Sequence, residues 1–280
     1  MLSLLLALAA AGCWGVSDFL GGVTSRRLPL LWVLTLTQFV GFTCVVPIAV
    51  LRGPVVLDAA TLQAAVAGSL FGLLGIAGLY LAIALGVASI AAPISATGAV
   101  LPVVVGLVRG EPATLLQELG CASAVLGIVG ASHSGQEQSR LGRAATTGVG
   151  YALLAALGFG GFFVFLPLAS QHDVFWAVSI QRLTGFVVVS LIVLVRRPAR
   201  GVQWRDAPRL VLIGVLDQGA NVLYGLASTL GLLSLSAVLA SLYPLVTVVL
   251  ARVVLNERLS RLQQTGVALA LAGVALVAGG

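Results

Sequence analysis

The sequence predicts an all-α integral membrane protein, with ten transmembrane helices arranged as two inverted five-helix repeats around a central cavity. Three observations carry that prediction. Hydrophobic residues make up 59% of the 280 residues and charged ones 9%, against roughly 25% charged residues in an ordinary soluble domain. Ten stretches approach the ~20 mostly apolar residues that a spanning helix needs. The chain also matches itself when displaced by about 145 residues.

The spans are bounded where charge and turn residues gather. Leu2 to Gly22 comes first and carries no charge until Asp18. Ala9, Ala10 and Ala11 resemble a cleavage site, but the charged n-region of a signal peptide is missing, so this segment is expected to be a working helix. Leu30 to Leu51 follows Arg26 and Arg27. Thr61 to Leu85 and Ser89 to Val108 are parted only by a turn at GVAS, and Ala113 to Ala131 closes the first half. Thr146 to Ser170, Val174 to Val195, Leu210 to Leu230, Ser234 to Leu255 and Arg261 to Gly280 form the second. The division is therefore 1–131, a connecting loop at 132–145, and 146–280. Cys13, Cys44 and Cys121 are odd in number and fall inside apolar spans, which reads as buried packing and no disulfide framework.

The self-match is specific at several places. RGEPATLLQELGCASAVLGIVG from Arg109 falls on LNERLSRLQQTGVALALAGVAL from Leu255, setting Glu111 on Glu257, Gln117 on Gln263 and Gly120 on Gly266. LWVLTLTQFVGF from Leu31 falls on FWAVSIQRLTGF from Phe175, setting Trp32 on Trp176 and Gly41 on Gly185; Ser95 falls on Ser241. Five is odd, so two copies in series must sit upside down relative to each other. Inverted repeats are the architecture of secondary transporters, which bind substrate near mid-bilayer where the halves meet.

On Trp14-Gly15, Arg182, the segment SLYPLVTVVLARVVLNERLS with its Pro244, and the two copies of the Glu111/Glu257 turn, the chain resembles the EamA-type members of the drug/metabolite transporter superfamily. The likeness covers all ten segments, and the Asn256-Glu257 turn with the helix after it is its more specific part. The resemblance implies a 5+5 carrier of small metabolites, amino acids or drugs, with helices 1, 3, 4, 6, 8 and 9 around a cavity; it implies no single substrate. Two departures matter. The first repeat has Gln38 where the second has Arg182, and Trp14-Gly15 becomes Phe159-Gly160-Gly161. The halves are not chemically equivalent.

Three ionised side chains lie inside the spans. Asp217 and Arg182 fall roughly 4 Å from their helix midpoints and Asp18 roughly 9 Å from its own, all within a half-thickness of about 15 Å. Facing lipid, each would cost at least about 2.5 kcal/mol, so each is expected to face protein or water. Asp217, Asn221, Tyr224 and Ser228 recur at i, i+4, i+7 and i+11 and form one polar stripe, as a cavity wall would. Asp18 has Trp14 four residues before it and Gly22 four after, a setting that suits a cation. Bland readings stand beside these. Asp217 and Arg182 suit a structural ion pair as well as substrate contact, and Asp18 could reach headgroups beside Arg26 and Arg27. Glu111 and Glu257 read as caps in short turns. Tyr80, Ser95, Ser241 and Tyr243 are candidates only as polar residues on cavity helices. Gly158, Gly160 and Gly161 read as a gating hinge or as close packing, and Pro47, Pro93, Pro102, Pro167 and Pro244 are expected to interrupt their spans.

Absences narrow the function further. His133 and His172 fall in loops, and the sequence has no GxSxG, HExxH or Walker motif. Neither an enzyme nor a primary pump is expected, nor a cofactor or metal. The +6 charge comes entirely from arginine, mostly in loops, where it sets topology and meets lipid headgroups instead of nucleic acid. The expected partners are a small-molecule substrate, membrane lipid and protons, with the chain a monomer or homodimer. The reading is a multi-pass carrier of the bacterial cell membrane that exports an amino-acid-like metabolite or drug by alternating access. Its alternatives are a cationic-drug efflux carrier, a lipid-linked flippase or scramblase, and a non-transporting subunit. Twelve arginines flank the loops after segments 1, 3, 5, 7 and 9, whereas only Arg52 and Arg109 lie on the opposite side. That asymmetry places both termini outside, against the habit of the family.

Overall fold

The computed structural model describes residues 2–54, 58–101, 114–132, 139–198, 201–230, 240, 242–256 and 260–279. Among the described residues each predicted segment contains a helix. They are α1 (Leu2–Thr24), α2 (Leu30–Arg52), α3 (Ala59–Ala84), α4 (Ala88–Ala96), α5 (Leu115–Ser132), α6 (Ser139–Ala169), α7 (Val174–Arg196), α8 (Ala207–Leu230), α9 (Tyr243–Val254) and α10 (Arg261–Gly279). Six helices among the described residues are long and apolar enough to cross a membrane: α1, α2, α3, α7, the Thr146–Ala169 part of α6 and the stretch Trp204–Ala227 that includes α8. Glu111, Glu257, Ser241 and His133 lie outside the described residues.

The helices are inside out by the standard of a soluble protein. Leu2, Leu5, Leu51, Leu194 and Val253 are exposed, while Ser17, Asp18, Gln38, Gln181, Arg182, Asp217 and Asn221 are buried. This is the packing expected when the solvent is hydrocarbon and only the interior can satisfy polar groups. Cys44 belongs to the exposed set, a correction to its expected burial. In lipid an apolar neighbourhood marks the outside as readily as the inside, so sequence pattern alone misplaces it.

Caps and breaks follow local chemistry. Asp58 caps α3 by accepting the Thr61 N–H at 2.7 Å, and Asp173 caps α7 by accepting the Trp176 N–H at 3.0 Å. Hydrogen bonds from the Thr61 side chain and then its backbone hold the Asp58 carboxyl below its ordinary range. Pro47, Pro93 and Pro167 lie within continuous helices, so these three do not break their segments as expected; Pro244 stands in the first turn of α9, where a helix begins inside the expected span, and Pro102 lies outside the described residues. The departure comes at Thr97–Ala99, a 3-10 turn following α4. Gly98 in that turn lies so close to the Ala156 carbonyl and the Gly160 amide of α6 that no Cβ would fit.

Tertiary pairing respects the repeat. α3 lies along α6 and α1 along α8, and these two pairs exchange when the repeats exchange; α2 against α7 and α5 against α10 map onto themselves. The pairing is antiparallel. Along α2 and α7, Gly41 meets Arg182, Gly185 meets Gln38, and Arg52 at the end of α2 meets Asp173 at the start of α7, 3.3 Å apart. The finest match is between glycines. A Cβ on Gly15 would stand 2.6 Å from the Tyr243 carbonyl oxygen, and one on Gly160 would stand 2.7 Å from that of Gly98.

Candidate functional site

α1, α2, α3, α6, α7, α8 and the first turn of α9 surround a cavity. Its lining from α3 runs through the middle of that helix, from Gly68 and Ser69 to Leu73 and Ile76, with Trp14 and Asp18 past the midpoint of α1 and Phe159, Phe162 and Phe163 near the end of α6. Toward the face at which α1 ends the bundle is filled. Gly21 and Gly22 let α1 press against Tyr80 and Ile83, Arg26 donates to the Ile83 carbonyl at 2.8 and 3.2 Å, and Phe19, Leu79, Ile90 and Ile94 pack with Ala152 and Ala155.

One side of the cavity is polar. Arg182 Nη1 forms an ion pair with Asp217 Oδ2 at 2.6 Å and donates to Gln38 Oε1 at 3.0 Å. Gly41 makes room for this, since a Cβ there would stand 3.2 Å from Arg182 Cδ. Asn221 Nδ2 donates to the Asp217 backbone carbonyl at 2.7 Å and so steadies the same turn of α8. The guanidinium keeps capacity in reserve: Nε and Nη2 donate to no partner among the described residues. Asp18 differs in kind. It is 4% exposed, lines the cavity, and has neither an ion pair nor a hydrogen bond among the described residues. The Gln181 Nε2 and Tyr243 Oη atoms are likewise buried in the lining without a hydrogen-bond partner. A buried polar group left so costs about 1–3 kcal/mol, which a bound molecule or water would relieve.

The other side is aromatic. Trp14 stands 5.6 Å from Tyr224 and 6.2 Å from Tyr243, Phe159 6.4 Å from Tyr243, and Phe163 6.4 Å from Tyr224, measured between ring centroids. Rings so arranged hold one another in offset or edge contacts.

Of the residues singled out in the sequence, Trp14, Asp18, Arg182, Asp217, Asn221 and Tyr243 meet in the lining. Tyr224 stands behind Trp14 and Phe163. Tyr80 is wholly buried against Gly21, away from the lining, and Ser95 donates to the Ala92 carbonyl of its own helix at 2.8 Å. The Ser228 side chain and Ser241 are outside the described residues. Sequence reasoning did not single out Gln181, Ser69, Phe162 or Phe163 as site residues. Phe163 had a signal, because the shift that sets Trp14 on Phe159 also sets Asp18 on Phe163.

The profile of the EamA-like transporter family matches residues 1–132 and 146–279. No curated protein matches the chain. Among solved structures, one crystal structure of a protein aligns over 98% of this chain and 95% of its own, with a TM-score of 0.64 and 16% sequence identity. At that identity the likeness concerns the fold.

Proposed function

The chain belongs to the EamA-like transporter family of membrane proteins, and on that premise we propose that it is a secondary carrier exporting a small amine-bearing metabolite or drug across a bacterial cell membrane. The observation that carries the substrate class is Asp18. Two carboxylates and one guanidinium line the cavity, so it holds one negative charge in excess, and that charge rests on the carboxylate without a partner. An ammonium group there would gain a charge-assisted hydrogen bond and the nearby faces of Trp14 and Tyr243. Between substrates a proton takes its place, which couples transport to protons without a separate ion site.

An amino-acid-like zwitterion fits as the narrower form of the same reading. Arg182 has its charge balanced by Asp217, yet the unspent Nε and Nη2 form the edge that reads a carboxylate. Alternating access is supported by the antiparallel packing of α2 on α7 and by the close packing of the bundle toward the face at which α1 ends. With α4, α5, α9 and α10 added to the six long helices, the reading is ten spans in two inverted repeats, 1–131 and 146–280, moving about the central pairs.

Purified protein in proteoliposomes, offered labelled amines, amino acids, sugars and organic anions, tests the proposal. Uptake of amines and amino acids, competing with one another and driven by a proton gradient, is the expected result. Transport confined to anions or sugars, or scrambling of a fluorescent lipid without uptake of any amine, would overturn it.

A further inference from the structure

We propose that the face at which α1 ends carries a second site, built by Arg27, Arg205 and Arg209, for the phosphate-bearing headgroup of an anionic phospholipid. These three side chains converge on one broad recess between the end of α1 and the segment entering α8, with Gln203 and Asp206 also in its rim. None of the three guanidiniums has an ion pair among the described residues. Asp206 is the one carboxylate of the rim, so the recess keeps a net charge of two positive units, and one oxygen of that carboxylate accepts the Gln203 N–H at 3.1 Å.

That hydrogen bond belongs to a capping box around the turn Trp204–Asp206. The box fixes how the chain enters α8, and so holds Arg205 and Arg209, four residues apart, on one side of the entry. Planar guanidiniums pair with phosphate through parallel hydrogen bonds, which names the chemistry of the ligand. Its source is named by the surroundings. Trp204, between Gln203 and Arg205 in the chain, is 89% exposed, as an indole lying at the boundary of a bilayer would be. The next turn of α8 exposes Val211, Leu212 and Val215, an apolar surface for acyl chains below a headgroup. A soluble phosphate would need the arginines but neither the indole nor that surface. This site is separate from the cavity and does not depend on what the cavity carries.

The full-length protein in detergent is melted with a short-chain phosphatidylglycerol, a short-chain phosphatidylcholine, or glycerol phosphate at equal concentrations. Phosphatidylglycerol is expected to raise the melting temperature and the other two to leave it unchanged. In the Arg205→Gln/Arg209→Gln variant the same rise should need about 30-fold more lipid, and in Arg27→Gln, on a different segment, about fivefold more. Both variants should melt as the wild type does without lipid, because the side chains replaced are exposed. The single variant still reports if the double one fails to fold. A rise that survives undiminished in Arg27→Gln, no rise in the wild type, or an equal rise with phosphatidylcholine would overturn the site. An equal rise with glycerol phosphate would reassign it to a soluble anion and overturn the lipid.

Discussion

Trp14, Asp18 and Gln38 in the first repeat and Phe159, Phe163 and Arg182 in the second fall on equivalent positions of the sequence, and all six line one cavity. The same holds for Gly72 and Ile76 on α3 against Asp217 and Asn221 on α8. The backbone contacts beneath them are duplicated: Gly15 on the Tyr243 carbonyl and the Val246 side chain, Gly160 on the Gly98 carbonyl and the Leu101 side chain. The chemistry is not duplicated. Asp18, Asp217 and Asn221 belong to the α1–α8 seam, whereas the α3–α6 seam presents glycine, phenylalanine and isoleucine. Two conformations that exchange the roles of the repeats need matching backbones, so the scaffold keeps its symmetry. A single asymmetric molecule needs a charged contact on one side and an apolar one on the other, so the lining loses it.

The largest effect is expected where the asymmetry is sharpest. Asp18→Asn should reduce transport of an amine by at least about 100-fold, the scale of losing one partner of a buried charge contact. The folded protein should melt at or above the wild-type temperature, because an uncompensated buried charge has been removed. Transport near the wild-type rate in proteoliposomes would show that the first repeat does not read charge.

Asp217→Asn tests the other carboxylate and should behave in the opposite way. It strands Arg182 in the interior without its counter-ion, a loss of about 3–5 kcal/mol. Adding Arg182→Gln should recover much of that stability, because the second repeat then carries the glutamine that the first has at Gln38. Unfolding midpoints of the two single variants and the double one form a cycle. Strictly additive losses would mean that the 2.6 Å contact contributes nothing.

A smaller effect tests the shared scaffold. Gly15→Ala and Gly160→Ala should each cost about 1–3 kcal/mol, since the new methyl group meets a backbone carbonyl and a neighbouring helix must move. Similar losses sharpen the comparison. A loss at Gly15 with none at Gly160 would break it, and would return the Gly158 to Gly161 cluster to the role of a hinge.

How far the sequence showed this depends on what lipid penalises. Asp18, Arg182 and Asp217 were legible because an ion in a span must be turned inward, and Asn221 because it stands one helical turn from Asp217. Ser95 stands outside the lining because a helical serine can satisfy its hydroxyl on its own backbone, as it does on Ala92. Tyr80 stands outside it because a tyrosine brings an apolar ring along with its hydroxyl, and the ring packs on Gly21. Phe162 was silent because cavity and lipid accept a phenylalanine equally, and Phe163 was legible only through its repeat position opposite Asp18. The turn at Thr97–Ala99 arises from contact with α6 across the bundle, which no local propensity encodes.

The mildest perturbation is a cysteine at Gly201, and it decides which way the asymmetric seam points. Arg26, Arg27, Arg196, Arg197, Arg205 and Arg209 flank the helix ends at one face, with Arg52 across the bundle beside Asp173. Short arginine-rich loops remain in the cytoplasm, so that face is expected to be cytoplasmic and both termini external. Gly201 is exposed, and a side chain there would meet nothing within 4 Å, so Gly201→Cys in a cysteine-free background should change neither melting nor transport. In intact cells the thiol should resist an impermeant maleimide and react after lysis. Labelling in intact cells would place the arginines outside, put both termini in the cytoplasm, and turn Asp18, which lies past the midpoint of α1, toward the external half of the bilayer.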